Sequence, residues 1–314
     1  MENNIKKREL KFLPPALVIL AASLWGVDGI VLRPSLSSLP VPLVVLVESS
    51  IVAILLTPFF IKKYSVLKSL SSKDWLAFAG VALLGGAVGT MAITKALFYV
   101  NYVNLSVVVL LQKLQPVFAI SFATILLKEK LPNEFFLWAG LAIVGAYFMT
   151  FGLSTPDFST GDKTTIAALF ALLAAFSFSS STVLSKRALR NVDYEMGTYL
   201  RFLLATVIMI IIAATTGDIN SFNEITSKQV LIFLIIAFTT GGSAIFIYYY
   251  GLKKISASVA SICELAFPLT AVILEYFLRG NILSPVQWIG TAVLLISILK
   301  VSGINIPTLL NHDK

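Results

Sequence analysis

Seven ionisable side chains lie inside stretches of the sequence that are otherwise apolar. They are Asp28, Glu48, Lys95, Lys113, Arg201, Glu264 and Glu275. An ionisable residue near the centre of a bilayer costs about 2.5–3.5 kcal/mol on insertion scales, so it requires a partner, water or a function. We therefore expect the residues that carry the chemistry of this protein to be among them.

The depth of each charge in its predicted helix indicates which charges can meet. Two acids and two bases share the outer half of the membrane, where Asp28 can pair with Lys113 and Glu48 with Lys95. Arg201 and Glu264 form a further possible pair in the inner half. Each pair is either a structural ion pair or part of a surface that faces substrate. A carboxylate on a desolvated face can also bind and release a proton as access alternates, so Glu264 is a candidate for proton coupling. Glu275 is expected near the outer interface.

Helical periodicity indicates which faces of these helices point inward. Ser261, Glu264, Pro268 and Glu275 stand at i, i+3, i+7 and i+14, so they share one stripe. The substrate site is predicted to include these residues from four helices: Trp25, Asp28, Gln112, Lys113, Gln115, Ser177, Ser181 and Glu264. Two alternatives stay open, namely a packing role for Trp25 and hydrogen bonds from Ser177, Ser180 and Ser181 to their own helix.

Composition defines the class of protein. Hydrophobic residues make up 57% of the 314 residues and charged residues 13%, a balance that indicates an integral membrane protein. Cys263 is the only cysteine and His312 the only histidine, so neither a disulfide framework nor a metal site is predicted. No cofactor is expected. The net charge of +8 is explained by membrane topology, without nucleic-acid binding.

Ten apolar stretches are each long enough to cross a bilayer. We place them near 14–32, 41–61, 75–98, 105–127, 134–153, 164–184, 194–215, 229–250, 257–278 and 286–303. The second five repeat the first five at an offset of about 153 residues, as in the pairs Trp25 with Phe178 and Glu48 with Arg201. Five crossings per repeat invert the second copy, which is the build of many secondary transporters.

Lysine and arginine positions predict the orientation of the chain. Seventeen of them fall on one side, and four fall on the other: Arg33, Lys163, Lys228 and Arg279. This asymmetry predicts cytoplasmic termini in a multi-pass protein of the cell membrane. The division is a tail at 1–13, a first repeat at 14–153, an outer loop at 154–163, a second repeat at 164–303 and a tail at 304–314.

Two prolines and two glycine pairs occupy matching positions in the repeats. Pro116 and Pro268 each remove a backbone hydrogen bond from a helix, so kinks are predicted there. The pairs Gly85–Gly86 and Gly241–Gly242 allow bending or close helix contact. Matched kinks suit two halves that rock against each other, although glycine as a packing residue is an equally good explanation.

Several short motifs resemble those of a known family. They are Ser23-Leu24-Trp25-Gly26, the element from Gly251 to Ser258, and the stretch from Pro116-Val117 to Leu127-Lys128-Glu129. They resemble the EamA repeats of the drug/metabolite transporter superfamily, over nearly the whole chain. The resemblance implies an all-α, ten-helix, exporter-like fold whose central cavity is lined mainly by helices 1, 3, 4, 6, 8 and 9. The second repeat has Asn281 where the first has Glu129, so we interpret Glu129 as a structural cap.

A secondary transporter is the function that these features favour. We expect an exporter or exchanger of small polar metabolites such as amino acids or amines, with an importer as the alternative. The mixed lining favours a zwitterion, its ammonium near Asp28 or Glu264 and its carboxylate near Lys113. An enzyme, a channel and a scaffold protein are each disfavoured. The expected partners are the small-molecule substrate and the lipid bilayer, with protons as a further candidate, in a monomer or homodimer.

Overall fold

The chain is all-helical throughout the part that its computed structural model describes, which comprises residues 2–60, 63–99, 111–112, 114–155, 162–279 and 283–302. Its α-helices are α1 (Glu2–Val27), α2 (Val41–Phe60), α3 (Tyr64–Lys68), α4 (Ser72–Val81), α5 (Gly89–Phe98), α6 (Gln115–Phe122), α7 (Asn133–Phe151), α8 (Asp162–Ala188), α9 (Tyr194–Thr216), α10 (Ser227–Ile236), α11 (Gly242–Lys254), α12 (Ala257–Cys263), α13 (Ala266–Arg279) and α14 (Pro285–Ser302). Helices satisfy their own backbone groups, which a bilayer requires.

Eight helical stretches in this part of the chain are long and apolar enough to cross a membrane. They are Phe12–Leu36, Val41–Phe60, Ser72–Phe98, Thr165–Ala188, Tyr194–Thr216, Ser227–Lys254, Ala257–Leu278 and Pro285–Ser302. Two shorter apolar helices cover Gln115–Leu127 and Asn133–Met149. Much of the first half of the predicted helix at 105–127 lies outside the described residues, as does most of the predicted loop at 154–163.

Wider helical turns of the π type interrupt two of these stretches at corresponding places. Ala82–Val88 joins α4 to α5, and Ala237–Gly241 joins α10 to α11. In each, a hydroxyl donates to a carbonyl five residues earlier: Thr90 Oγ1 to Gly85 O at 2.8 Å, and Ser243 Oγ to Phe238 O at 2.7 Å. The two donors lie 153 residues apart in the sequence, and so do the two acceptors. The glycine pairs therefore lie where the backbone departs from regular α-helix.

The two predicted proline kinks correspond to breaks in the helices. Leu114 forms a turn immediately before α6, and Pro116 occupies the first turn of that helix, where a missing N–H costs little. A turn at Glu264 and Leu265 separates α12 from α13. Pro268 cannot donate to Glu264 O, which instead accepts from the Phe267 N–H at 3.0 Å.

Glu129 caps a helix of the other half of the chain. Its carboxylate accepts hydrogen bonds from the backbone N–H of Ala257 at 2.7 Å and of Ser258 at 3.2 Å, and from the Ser258 hydroxyl at 2.6 Å. A carboxylate at a helix N-terminus satisfies free N–H groups and complements the helix dipole. The interpretation of Glu129 as a structural cap is confirmed.

Helices α7 and α14 pack closely against each other. A Cβ atom added at Gly145 would lie 2.7 Å from Leu294 N and 3.0 Å from Gly290 O, so the two backbones meet at this point. Small residues allow this approach between membrane helices. Gly140, one turn earlier on α7, has nothing within 4 Å of such an atom.

We expect Gly145→Ala to lower the stability of the protein by about 1–3 kcal/mol, because backbone atoms of α14 cannot move aside for the new methyl group. Gly140→Ala on the same helix is the matched control and should leave stability unchanged or slightly raise it. Thermal unfolding of the purified protein in detergent measures both. Equal midpoints for the two variants would show that α7 and α14 do not meet at Gly145.

Candidate substrate cavity

A cavity of about 190 Å³ lies between the helices of the two halves. A single water needs about 10–15 Å³ on this measure, so the space suits an organic molecule. Residues of α1, α2, α5, α6 and of all the helices from α8 to α13 line it, together with the turns that adjoin them. The resemblance implied a lining from the first, third, fourth, sixth, eighth and ninth of the ten predicted helices. The structure adds the second and the seventh of them, which are α2 and α9.

Aromatic side chains form much of the apolar wall. Trp25, Phe178, Tyr248 and Phe267 all line the cavity. The rings of Trp25 and Tyr248 lie 5.2 Å apart between centroids and are inclined by 57°. Such an arrangement offers faces and edges on which a flat ring system can stack. Sequence reasoning found Trp25 and missed Tyr248, which stands in a run of three tyrosines inside an apolar helix.

Glu264 is surrounded by hydrogen-bond donors. Its Oε1 accepts from the Tyr248 hydroxyl at 2.5 Å and from Thr182 Oγ1 at 3.3 Å, and its Oε2 accepts from Gln115 Nε2. The break between α12 and α13 places this carboxylate in the cavity wall. Tyr248 and Thr182 also share a hydrogen bond at 3.0 Å. The cluster ties α6, α8, α11 and the turn after α12 together in the cavity wall.

Arg201 is held by neutral groups, which differs from the predicted pairing with Glu264. Its guanidinium donates to Gly85 O at 3.1 Å, to the Tyr249 hydroxyl at 3.3 Å and to Ser181 Oγ at 3.5 Å. No salt bridge joins it to Glu264 within the described chain. The π-type turn explains the difference, because it frees the Gly85 carbonyl to accept from the guanidinium.

Arg33 forms the centre of a buried ion-pair cluster. Arg33 Nε donates to Asp28 Oδ2 at 2.8 Å, Nη2 lies 2.7 Å from the same oxygen, and Nη2 donates to Glu48 Oε2 at 3.3 Å. Nη1 donates to Thr94 Oγ1 at 2.8 Å. All three charged residues are buried and line the cavity. We call Asp28, Arg33 and Glu48 the charge triad.

The triad corrects the predicted pairing of Glu48 with Lys95 and leaves the predicted pairing of Asp28 with Lys113 untested. Arg33 was assigned to an outer loop, yet it neutralises Asp28 and contacts Glu48, the acids paired in the sequence with Lys113 and Lys95. Arg33 reaches them because a π-type turn and a 3₁₀ turn continue the first helix to Leu36. Lys95 is exposed, and its ammonium lies 5.5 Å from the centre of the Tyr99 ring. Lys113 lies outside the described residues.

The remaining predicted residues divide between the cavity and the packing between helices. Gln112, Gln115, Pro116, Pro268 and Ser181 line the cavity. The prediction differs from the structure at Ser177 of α8, whereas Ser180 forms the hydrogen bond to its own helix that was left open as an alternative. Ser177 is fully buried outside the lining, and Ser180 donates to Phe176 O at 2.8 Å. Ser180 lies about 100° around the helix from Ser181, whereas Ser177 lies one turn earlier on nearly the same face and still falls outside the lining. The side chain of Glu275 lies outside the described part of the chain.

Comparison with known protein families agrees with a polar cavity inside a helical membrane protein. The model of the EamA-like transporter family matches residues 14–151 and again residues 165–303. The chain belongs to the EamA-like transporter family. The resemblance seen in the sequence motifs is thereby confirmed.

Individual relatives agree with this membership. The riboflavin transporter ImpX of Fusobacterium nucleatum is 45% identical over 306 residues, which cover 97% of this chain and 100% of that protein. An uncharacterised transporter of Synechocystis, sll1164, is 27% identical over 73% of this chain and 66% of its own length. A solved crystal structure superposes with a TM-score of 0.70 over 94% of this chain and 98% of the other, at 17% identity, and so supports the fold alone.

This EamA-family member is a multi-pass membrane transporter of small metabolites. Its family and its relatives are transporters and not enzymes. The predicted class, its setting in a lipid bilayer and a small-molecule substrate are therefore established.

Removal of Arg33 should destabilise the protein strongly. Arg33→Met leaves two carboxylates buried together, and breaking a buried ion pair on one side costs about 3–5 kcal/mol. Neutralising both acids as well, in Asp28→Asn/Arg33→Met/Glu48→Gln, should restore much of the loss. The thermal midpoint and the yield of monodisperse protein report the effect, with Arg190→Met at an exposed position as control. Wild-type stability of Arg33→Met would contradict the charge triad.

Proposed function

We propose that this protein is a secondary transporter of riboflavin or a closely related flavin, and that the cavity between its two halves is the substrate site. The observation that carries the proposal is the 45% identity with a riboflavin transporter over 97% of this chain and 100% of that protein. Relatedness at this level usually preserves the shape of a central cavity, so the chemistry of the lining is the next support.

The cavity offers the groups that a flavin needs. The isoalloxazine ring is flat and apolar on both faces, which suits stacking against Trp25 and Tyr248. Its pyrimidine-like edge alternates carbonyl acceptors with an N–H donor, and a side-chain amide such as Gln112 or Gln115 can match both. The hydroxyl groups of the ribityl chain suit Ser261 and the other hydroxyl residues of the wall.

A flavin also suits the charges better than an amino acid does. Asp28 was expected to receive a substrate ammonium, but its carboxylate is already bound to Arg33 at 2.7 Å. Glu264 accepts three hydrogen bonds from neighbouring side chains. A neutral ring system with several hydroxyl groups makes hydrogen bonds to such a lining without the need to displace an ion pair.

We further propose transport by alternating access in ten helices built as two inverted repeats, residues 14–153 and 164–303. The tails at 1–13 and 304–314 are cytoplasmic and the loop at 154–163 is external, in the plasma membrane. Matched landmarks support the repeats. The helix-capping pairs Ser71 with Asp74 and Thr226 with Gln229 lie 155 residues apart, close to the spacing of the π-type turns. Rocking of such halves opens one site to either side.

Exchange in either direction follows from this mechanism. A carrier that alternates between two openings catalyses counterflow of its substrate whatever the direction of net movement. Counterflow therefore tests the proposal for exporter, exchanger and importer alike. A monomer or homodimer serves equally well, because the proposed site lies within one chain.

Purified protein in proteoliposomes should exchange external riboflavin for internal riboflavin with saturable kinetics, and should quench bound flavin fluorescence. Trp25→Ala should weaken binding roughly tenfold, since loss of an aromatic stacking partner costs about 1–3 kcal/mol. Trp25→Phe should restore much of the affinity. Trp288→Ala is the matched control, because Trp288 on α14 is 53% exposed and away from the cavity. Absence of saturable riboflavin exchange, or equal affinity in Trp25→Ala and Trp288→Ala, would reject this site and substrate.

A further inference from the structure

The charge triad contains one more acid than base. Asp28 and Glu48 share the single guanidinium of Arg33, whose fourth contact is the neutral hydroxyl of Thr94. With both acids ionised, the cluster carries a net charge of one negative unit. A buried uncompensated charge is costly, so the arrangement favours the binding of one positive charge.

Two oxygens of the triad lack a hydrogen bond. Asp28 Oδ1 and Glu48 Oε1 are both fully buried and have no donor in the described structure. Glu48 Oε1 lies 3.2 Å from Arg33 Nη2, but outside hydrogen-bonding geometry. Asp28 directs both of its contacts with Arg33 through Oδ2 alone. Each acid thus presents one oxygen that is free to carry a proton.

No other described charge balances this excess. Arg201 binds Gly85 O, Ser181 and Tyr249, as given above. Lys95 on α5 and Lys228 on α10 belong to helices that pack nearby, and both are exposed. Glu264, the remaining acid of the cavity, accepts hydrogen bonds on both of its oxygens. Among the described residues of the cavity, the carboxylate oxygens without a hydrogen-bond donor are those of the triad.

We propose that the charge triad is a proton-binding site, and that its proton drives substrate across the membrane. This inference rests on the proposed carrier function, because the triad and the proposed substrate site line the same cavity. It moves proton coupling from Glu264, where the sequence suggested it, to Asp28 and Glu48.

The proton step is simple. When the cavity opens to the more acidic side, a hydronium ion transfers its proton to Glu48 Oε1 or Asp28 Oδ1, an O–H bond forms and water leaves. The triad is then neutral, and its closure away from water no longer buries net charge. When the cavity opens to the other side, the O–H bond breaks, water accepts the proton and the negative charge returns. No oxidant or further reactant is required.

Accumulation of substrate driven by a gradient distinguishes proton coupling from transport of the substrate alone. In proteoliposomes that contain the full chain, an inwardly or outwardly directed pH gradient should drive riboflavin above its equilibrium level, and an equal Na⁺ gradient at constant pH should not. Glu48→Gln leaves the neutral pair Asp28 with Arg33 and should lose this accumulation while counterflow persists. Asp28→Asn should behave in the same way. Glu195→Gln at an exposed ion pair with Lys63 is the control and should accumulate as the wild type does.

Infrared difference spectra between acidic and alkaline buffer supply a readout that does not depend on substrate. The wild type should show the C=O band of a protonated carboxylic acid, and either Glu48→Gln or Asp28→Asn should remove it. Accumulation driven by Na⁺ alone, or retention of both proton drive and the band in the two variants, would overturn the proposal. The proposal would also be overturned if Glu264→Gln lost proton-driven accumulation while Glu48→Gln kept it in full. Failure of wild-type counterflow would reject riboflavin as substrate, whereas the band tests the proton site by itself.

Discussion

Charge buried within a bilayer has to be compensated by groups close to it, and Arg33 meets this constraint on one wall of the cavity. One guanidinium contacts Asp28 at the end of α1, Glu48 on α2 and Thr94 on α5. Arginine suits this position because its planar fork directs donors toward several acceptors at once and keeps its charge. Arg33 thereby holds three helices around a polar space that apolar side chains would otherwise fill.

Interrupted helices supply the polar groups on the other walls. The π-type turn around Gly85 frees a carbonyl for Arg201, and the break before α13 places Glu264 among Tyr248, Thr182 and Gln115. Backbone of this kind is tolerated in a membrane only where protein or a water-filled cavity satisfies it. The same turns that shape the site also fall at matched places in the two halves. We regard them as the points at which one half can move against the other.

Much of the architecture could be predicted from the sequence, because apolar length and repeated landmarks depend on physical rules that act locally. The transporter family, the membrane setting and the cap formed by Glu129 are confirmed. Cavity residues such as Trp25, Asp28 and Glu264 were found because an ionisable or aromatic residue is conspicuous on an otherwise apolar helix.

The partners of those residues could not be predicted, since they depend on distant turns. Arg33 was counted with the loops because it directly follows the predicted helix end at residue 32, and the extra π and 3₁₀ turns were not visible in composition. Arg201 was assigned to Glu264 by depth, which gives no information on the angular position of two helices. Tyr248 was missed because tyrosine is common in apolar helices. Lys113 stays a prediction.

The central claim is that a flavin occupies the cavity between the halves, and a structure determined with riboflavin bound tests it most directly. The account predicts density for a flat ring system beside Trp25 and Tyr248, with its polar edge near the side chains of Gln112 and Gln115. The charge triad should remain intact beside it. Riboflavin bound outside this cavity, or bound in it with Arg33 turned away from Asp28 and Glu48 to contact the ligand, would contradict the account.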